Sequence, residues 1–226
     1  MIIIVLVVIA AAIFLPQWWV KRVLRRYQEP GDRYQGTGGQ LARHLLDRLG
    51  LESVGVERTE PGADHYDPED RMVRLSPAHY DKSSLAAITV AAHEVGHAIQ
   101  HADGYPPLRW RTQLVLFSRS AQRLGAILLL AAPLIMVATR LPTAGFLFLV
   151  GGLLTMGTAV IVHLVTLPTE VDASFRRALP LLEAGYLRPE DKAPARRILT
   201  AAACTYLAAA LGSLLNVWVW LRLLRP

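Results

Sequence analysis

The sequence predicts a mainly α-helical membrane protein, with about four transmembrane helices and a small α+β domain inserted between helices one and two. Three observations carry that class. Of the 226 residues 53% are hydrophobic and 19% charged, below the roughly 25% charge of an ordinary soluble domain. The apolar excess sits in four stretches almost free of charge, at 1–20, 124–139, 144–167 and 200–221. Each is near the ~17–25 apolar residues that cross a bilayer, the second only with its flanks. The basic residues collect between them: 15 of the 24 lysines and arginines lie at 21–123 and six at 168–199. Such a chain is not disordered, and its single cysteine, Cys204, excludes a disulfide framework. The net charge of +6 suits flanks resting on anionic lipid, so no nucleic-acid partner is expected.

In order along the chain, residues 1–20 form an N-terminal transmembrane anchor. They lack a basic leading region and run into Lys21-Arg22-Val23-Leu24-Arg25-Arg26, the reverse of a cleaved signal. Residues 21–119 are the α+β region. Leu41, Leu45, Leu46 and Leu49 share one helical face, with Gly50 as the stop. Residues 53–58 and 71–76 alternate apolar and polar side chains, as half-buried strands do. The stretch 60–70 between them is rich in turn formers. Ser83 or Ser84 then caps a helix that Gly104 and Pro106-Pro107 end. Residues 120–167 read as a transmembrane hairpin turning at Leu141-Pro142-Thr143, 168–199 as a loop or helix, and 200–226 as the last transmembrane helix.

The basic bias puts 21–119 and 168–199 in the cytoplasm and both termini outside. Three lysines against 21 arginines hint at a GC-rich bacterial genome, hence a multi-pass protein of a bacterial plasma membrane.

The helix in the α+β region carries His93-Glu94-Val95-Gly96-His97. Spacing i, i+4 puts both imidazoles on one face, ~6 Å apart along the axis, so two ring nitrogens can converge on one ion. Imidazole with carboxylate suits Zn²⁺, which lowers the pKa of its water towards ~7, and Glu94 beside the first ligand can take that proton. The apolar flanks, Leu85 to Ala92 and Ala98-Ile99, argue for a buried helix rather than two surface histidines.

A third protein ligand is needed. His101 lies ~12 Å from His93 on a continuous helix, too far for the same ion, and reads as an outer neighbour of the site or a surface residue. His163, late in the third apolar stretch, is a second candidate. Glu170 is the better one. It follows that stretch directly, and helical periodicity aligns it with Ala173, Ser174 and Arg177.

His93 to Tyr105, followed by Thr166 to Leu179, resembles the YugP-like membrane-bound neutral zinc metallopeptidases. Supporting stretches lie at 64–80 and 201–211, so the resemblance runs from about residue 34 to the C-terminus. It implies a zincin-like peptidase of gluzincin type holding one zinc per chain on His93, His97 and Glu170, with Glu94 as general base. In the wider HtpX-type peptidases the third-ligand helix reads E-x-x-A-D. Glu170 and Ala173 match that pattern, but Ser174 stands where it has aspartate, so Asp172 or Ser174 takes the outer role.

The implied activity is zinc-dependent endopeptidase hydrolysis at a bilayer, on a peptide or membrane-protein substrate, in membrane-protein processing or quality control. Tyr66, His65, Tyr105 and Arg177 are candidate oxyanion donors, and strand 71–76 is expected to be an edge that pairs with substrate. An inactive zinc-containing membrane scaffold is the alternative, and a metal transporter using His163 a weaker one. Oligomeric state is not legible.

Overall fold

A computed structural model describes residues 2–205. Its elements are α1 (Ile2–Arg26), α2 (Gly38–Arg48), β1 (Gly55–Arg58), β2 (His65–Asp67), β3 (Met72–Leu75), α3 (Pro77–Tyr80), α4 (Leu85–Ala102), α5 (Pro106–Thr139), α6 (Pro142–Val171), a π-helical segment at Asp172–Ala178, α7 (Leu179–Glu183) and a 3₁₀ turn at Pro189–Asp191. Residues 192–205 are again helical. They form two compact units. Pro16–Leu108 joins Leu167–Thr205 in one, and residues 2–15 join Arg109–Thr166 in the other.

The first unit buries a core of Val20 and Val23 from α1, Leu41, Leu45 and Leu46 from α2, Val73 and Leu75 from β3, Ile88 and Val95 from α4, and Ile198 and Leu199. Local chemistry sets its helix starts. Thr37 and Gln40 form a reciprocal capping box on α2, and the Ser84 hydroxyl accepts from the Ala87 amide at 3.1 Å to open α4, satisfying amides that have no partner within the helix.

The sheet differs from expectation. It has three strands in the order β1-β3-β2, with β1 parallel and β2 antiparallel to β3. The stretch at 60–70, expected as turn alone, folds back to give β2, a strand of only three residues between Pro61-Gly62 and Pro68. Strand 71–76, expected as a substrate-pairing edge, is instead the central strand, because β1 and β2 occupy both its sides. Arg74 on β3 ties the three together, reaching Glu57 on β1 at 2.6 Å and Asp67 on β2 at 2.5 Å.

In the second unit α5 and α6 form a helical hairpin. Gly145 stands against Met136, and Gly152 against Leu129 and the Gly125 carbonyl. The small residues let the two backbones approach closely.

The expectation of about four transmembrane helices is overturned. Among the described residues one helix, α5, is long and apolar enough to cross a membrane. It exposes Ile127, Leu130, Leu134 and Val137. Hydropathy reports what a run of residues prefers to leave, not what covers it. Within the stretches expected to span, Val20 of α1 is buried in the core of the first unit, and Val162 and Thr166 of α6 are buried by protein. Most of the stretch at 200–221 lies outside the described residues, as does the side chain of His163.

Candidate metal centre

The site is built where α4 meets the end of α6. Helix α4 is buried along most of its length, and His93, Glu94 and His97 are 5%, 6% and 4% exposed. Glu170 comes from the last turn of α6 and is 1% exposed. Its Oε2 lies 3.2 Å from His93 Nε2 and 3.3 Å from His97 Nε2, and donor atoms of the three residues lie within 4.8 Å of one another.

The approach depends on two local features. Beyond Glu170 the chain leaves α-helical register for the π-helical segment, a widening found often at functional sites. Gly96 faces that segment, and a Cβ there would come 2.7 Å from the Ala173 carbonyl oxygen. Only the absence of a side chain at this motif position lets the two backbones meet so closely.

The outer atoms of both imidazoles are engaged. His93 Nδ1 lies 3.1 Å from the Ser174 hydroxyl, which reaches on to the Leu199 carbonyl at 3.4 Å. His97 Nδ1 lies 3.0 Å from Gln100 Oε1. The Gln100 amide donates to the Thr169 carbonyl and to Asp172 Oδ2, both at 2.8 Å. Arg177 donates to the same Asp172 oxygen at 2.7 Å and to Asp103, with its guanidinium 5.6 Å from the Tyr105 ring centre.

The outer role left open between Asp172 and Ser174 is thus divided, Ser174 touching His93 and Asp172 reaching His97 through Gln100. Gln100 was missed, because a glutamine inside a helix carries no signal beyond its i+3 spacing from a histidine.

The remaining candidates scatter. Tyr66, buried on β2, shares a 2.8 Å hydrogen bond with His101 Nδ1, and burial pushes its phenol up to about 12. His65 is exposed and bonds the Ala63 carbonyl at 2.7 Å. Arg177 is held between two carboxylates.

The donor set fits zinc. Bond lengths of ~2.0–2.2 Å at tetrahedral angles put ligand atoms ~3.3–3.5 Å apart, close to the two separations at Glu170 Oε2. With both Nδ1 atoms occupied elsewhere, the Nε2 atoms are left to face an ion. Burial works to raise the Glu170 carboxyl, but the imidazoles of His97 and His93 outweigh it and hold the group well below the usual carboxylate range.

Comparison with known proteins agrees with this chemistry. The profile of the family described as "Putative neutral zinc metallopeptidase" matches residues 1–225. The "Putative membrane protease YugP" of Bacillus subtilis (strain 168) is 37% identical over 206 residues, covering 90% of this chain and 88% of that protein. No solved structure matches significantly. With a matching profile over nearly its whole length and a buried His-His-Glu cluster at its centre, the chain belongs to the neutral zinc metallopeptidase family.

Proposed function

We propose that the protein is a zinc-dependent endopeptidase that cuts peptide or membrane-protein substrates, with His93, His97 and Glu170 as metal ligands and Glu94 as general base. The observation that carries this reading is the convergence of two imidazole Nε2 atoms on one buried carboxylate oxygen while both Nδ1 atoms are engaged behind them. Zinc bound by these three residues would polarise the scissile carbonyl and acidify a water.

The chain's own residues do the rest. Glu94, next to a ligand but not among the three, takes the proton from the attacking water and returns it to the leaving amine. Burial of the ligands keeps bulk water away and strengthens every charge interaction in the site. Since β3 is enclosed, an extended substrate has only the outer strands to pair with. Strand β2 is favoured because Tyr66 links it to α4 one helical turn beyond His97.

Membrane association is supported by the apolar helix α5 and by the relative's name. A cytoplasmic site is supported by the exposed cluster Lys21, Arg22, Arg25 and Arg26, which belongs to the same compact unit as the metal centre. Processing or quality control of membrane proteins is the role that suits such a site.

The test is Glu94→Gln, nearly isosteric and leaving the three ligands in place. Zinc content and fold should persist, while cleavage of a casein-like substrate falls by ~10²–10⁴, the contribution of general-base catalysis. A variant that cleaves as fast as the parent would sink the mechanism, and a parent that binds zinc but cleaves nothing would favour the scaffold.

A further inference from the structure

An imidazole that ligates a metal through Nε2 must carry its hydrogen on Nδ1, and something must accept that hydrogen to hold the ring in plane. A glutamine can serve only if its amide cannot turn over, because its oxygen accepts and its nitrogen donates. At Gln100 the neighbours decide which way round it sits. One end of the amide lies 2.8 Å from the Thr169 carbonyl and 2.8 Å from Asp172 Oδ2. The Thr169 carbonyl can only accept, and Asp172 also accepts from Arg177 Nε at 2.7 Å. An oxygen at that end would face two acceptors, so the nitrogen is there and the oxygen faces His97 Nδ1 at 3.0 Å. Gln100 is 0% exposed, so water cannot take over the role.

We infer that Gln100 is a positioning residue of the metal centre: it sets the tautomer and ring direction of His97, and Asp172, braced by Arg177, in turn fixes Gln100. The chain runs from Asp103 at the surface through Arg177, Asp172 and Gln100 to the ligand. His93 is held less firmly: its partner is the Ser174 hydroxyl at 3.1 Å, whose own hydrogen goes to the Leu199 carbonyl over a long 3.4 Å bond. The inference rests on the reading of His93, His97 and Glu170 as zinc ligands.

The experiment measures zinc affinity of the purified full-length protein by chelator competition, together with the visible spectrum of its cobalt-substituted form. Gln100→Met keeps the bulk and removes both hydrogen-bonding ends. Zinc affinity should fall ~10–100-fold, the usual loss when an outer partner of a ligand is removed, and the cobalt bands should shift. Gln100→Glu restores an acceptor for His97 but sets two carboxylates face to face, so it should also bind weakly. Asp172→Ala leaves Gln100 in place but removes the acceptor that fixes its amide, so zinc affinity should fall here too, by less than in Gln100→Met.

Affinity in Gln100→Met within ~2-fold of the parent, with unchanged cobalt bands, would overturn the proposal. So would an Asp172→Ala protein that binds zinc as tightly as the parent. A parent that bound no zinc would instead overturn the ligand reading, and this inference with it.

Discussion

Gly96→Ala tests how the two halves of the metal centre are held together. The added Cβ would stand 2.7 Å from the Ala173 carbonyl oxygen and 3.3 Å from its carbon, where ordinary contact begins at 3.4 Å. Both partners are backbone, so no side chain can swing aside, and the π-helical segment must retreat by about 0.7 Å. Ala173 lies between Glu170 and Ser174. A retreat of that size along the bond would stretch the 3.1 Å contact of Ser174 with His93 to ~3.8 Å, no longer a hydrogen bond.

Overpacking of this kind costs ~1–3 kcal/mol. Where zinc has to pull the ligands back together, the same strain weakens its binding by ~5- to 150-fold. The assay pairs thermal melting of the metal-free protein with zinc titration against a chelator. Gly36→Ala is the control. Its Cβ meets nothing nearer than the end of the Gln40 side chain at 3.5 Å, so it should change stability by less than ~0.5 kcal/mol. A Gly96→Ala protein that melted and bound zinc like this control would refute the claim that close approach at Gly96 assembles the site.

Three further outcomes are expected. Glu170→Gln should lose zinc and activity together, unlike Glu94→Gln, and retention of full zinc, measured by atomic absorption, would remove Glu170 from the ligand set. Asp191→Asn should destabilise the fold by ~1–3 kcal/mol at pH 7, because Asp191 takes two bonds from Arg33 at 2.7 and 2.8 Å and one from Tyr34. Burial works to raise the Asp191 carboxyl, but the bonds from Arg33 and Tyr34 hold it below its usual 3.8. The stabilisation is therefore complete above about pH 5 and lost as pH falls through the folded-state value. Denaturant melts should show parent and variant converging in acid, and a gap that widened there would reverse the assignment. Finally, a cysteine replacing exposed Glu60 should resist an impermeant thiol reagent in intact cells. Labelling would put the site outside. Gly38 cannot serve for this probe, because it is buried against the His79 carbonyl.

The order of residues along the chain determined whatever depends on near neighbours. His93 and His97 share a face because four residues make one helical turn. Glu94 stands beside the first of them because it follows it directly in the chain, and Ser84 opens their helix because its hydroxyl reaches an amide three residues on. Glu170 could be singled out by its place after an apolar run.

Tertiary structure alone decided what depends on distant partners. Strand β2 has three residues among prolines and a glycine, and its partner β3 stabilises it more than any propensity of its own. That same pairing closes the edge once expected of β3. The π-helical segment has no compositional signature, yet it brings Ser174 to His93 while Asp172 meets Gln100. Gln100 looks like any helical glutamine until the Thr169 carbonyl, 69 residues away, fixes its amide. The number of candidate membrane spans among the described residues also escaped the sequence, because hydropathy sums the cost of leaving apolar groups in water. Whether lipid or protein removes them from water depends on packing, and at Val20 and Val162 it is protein.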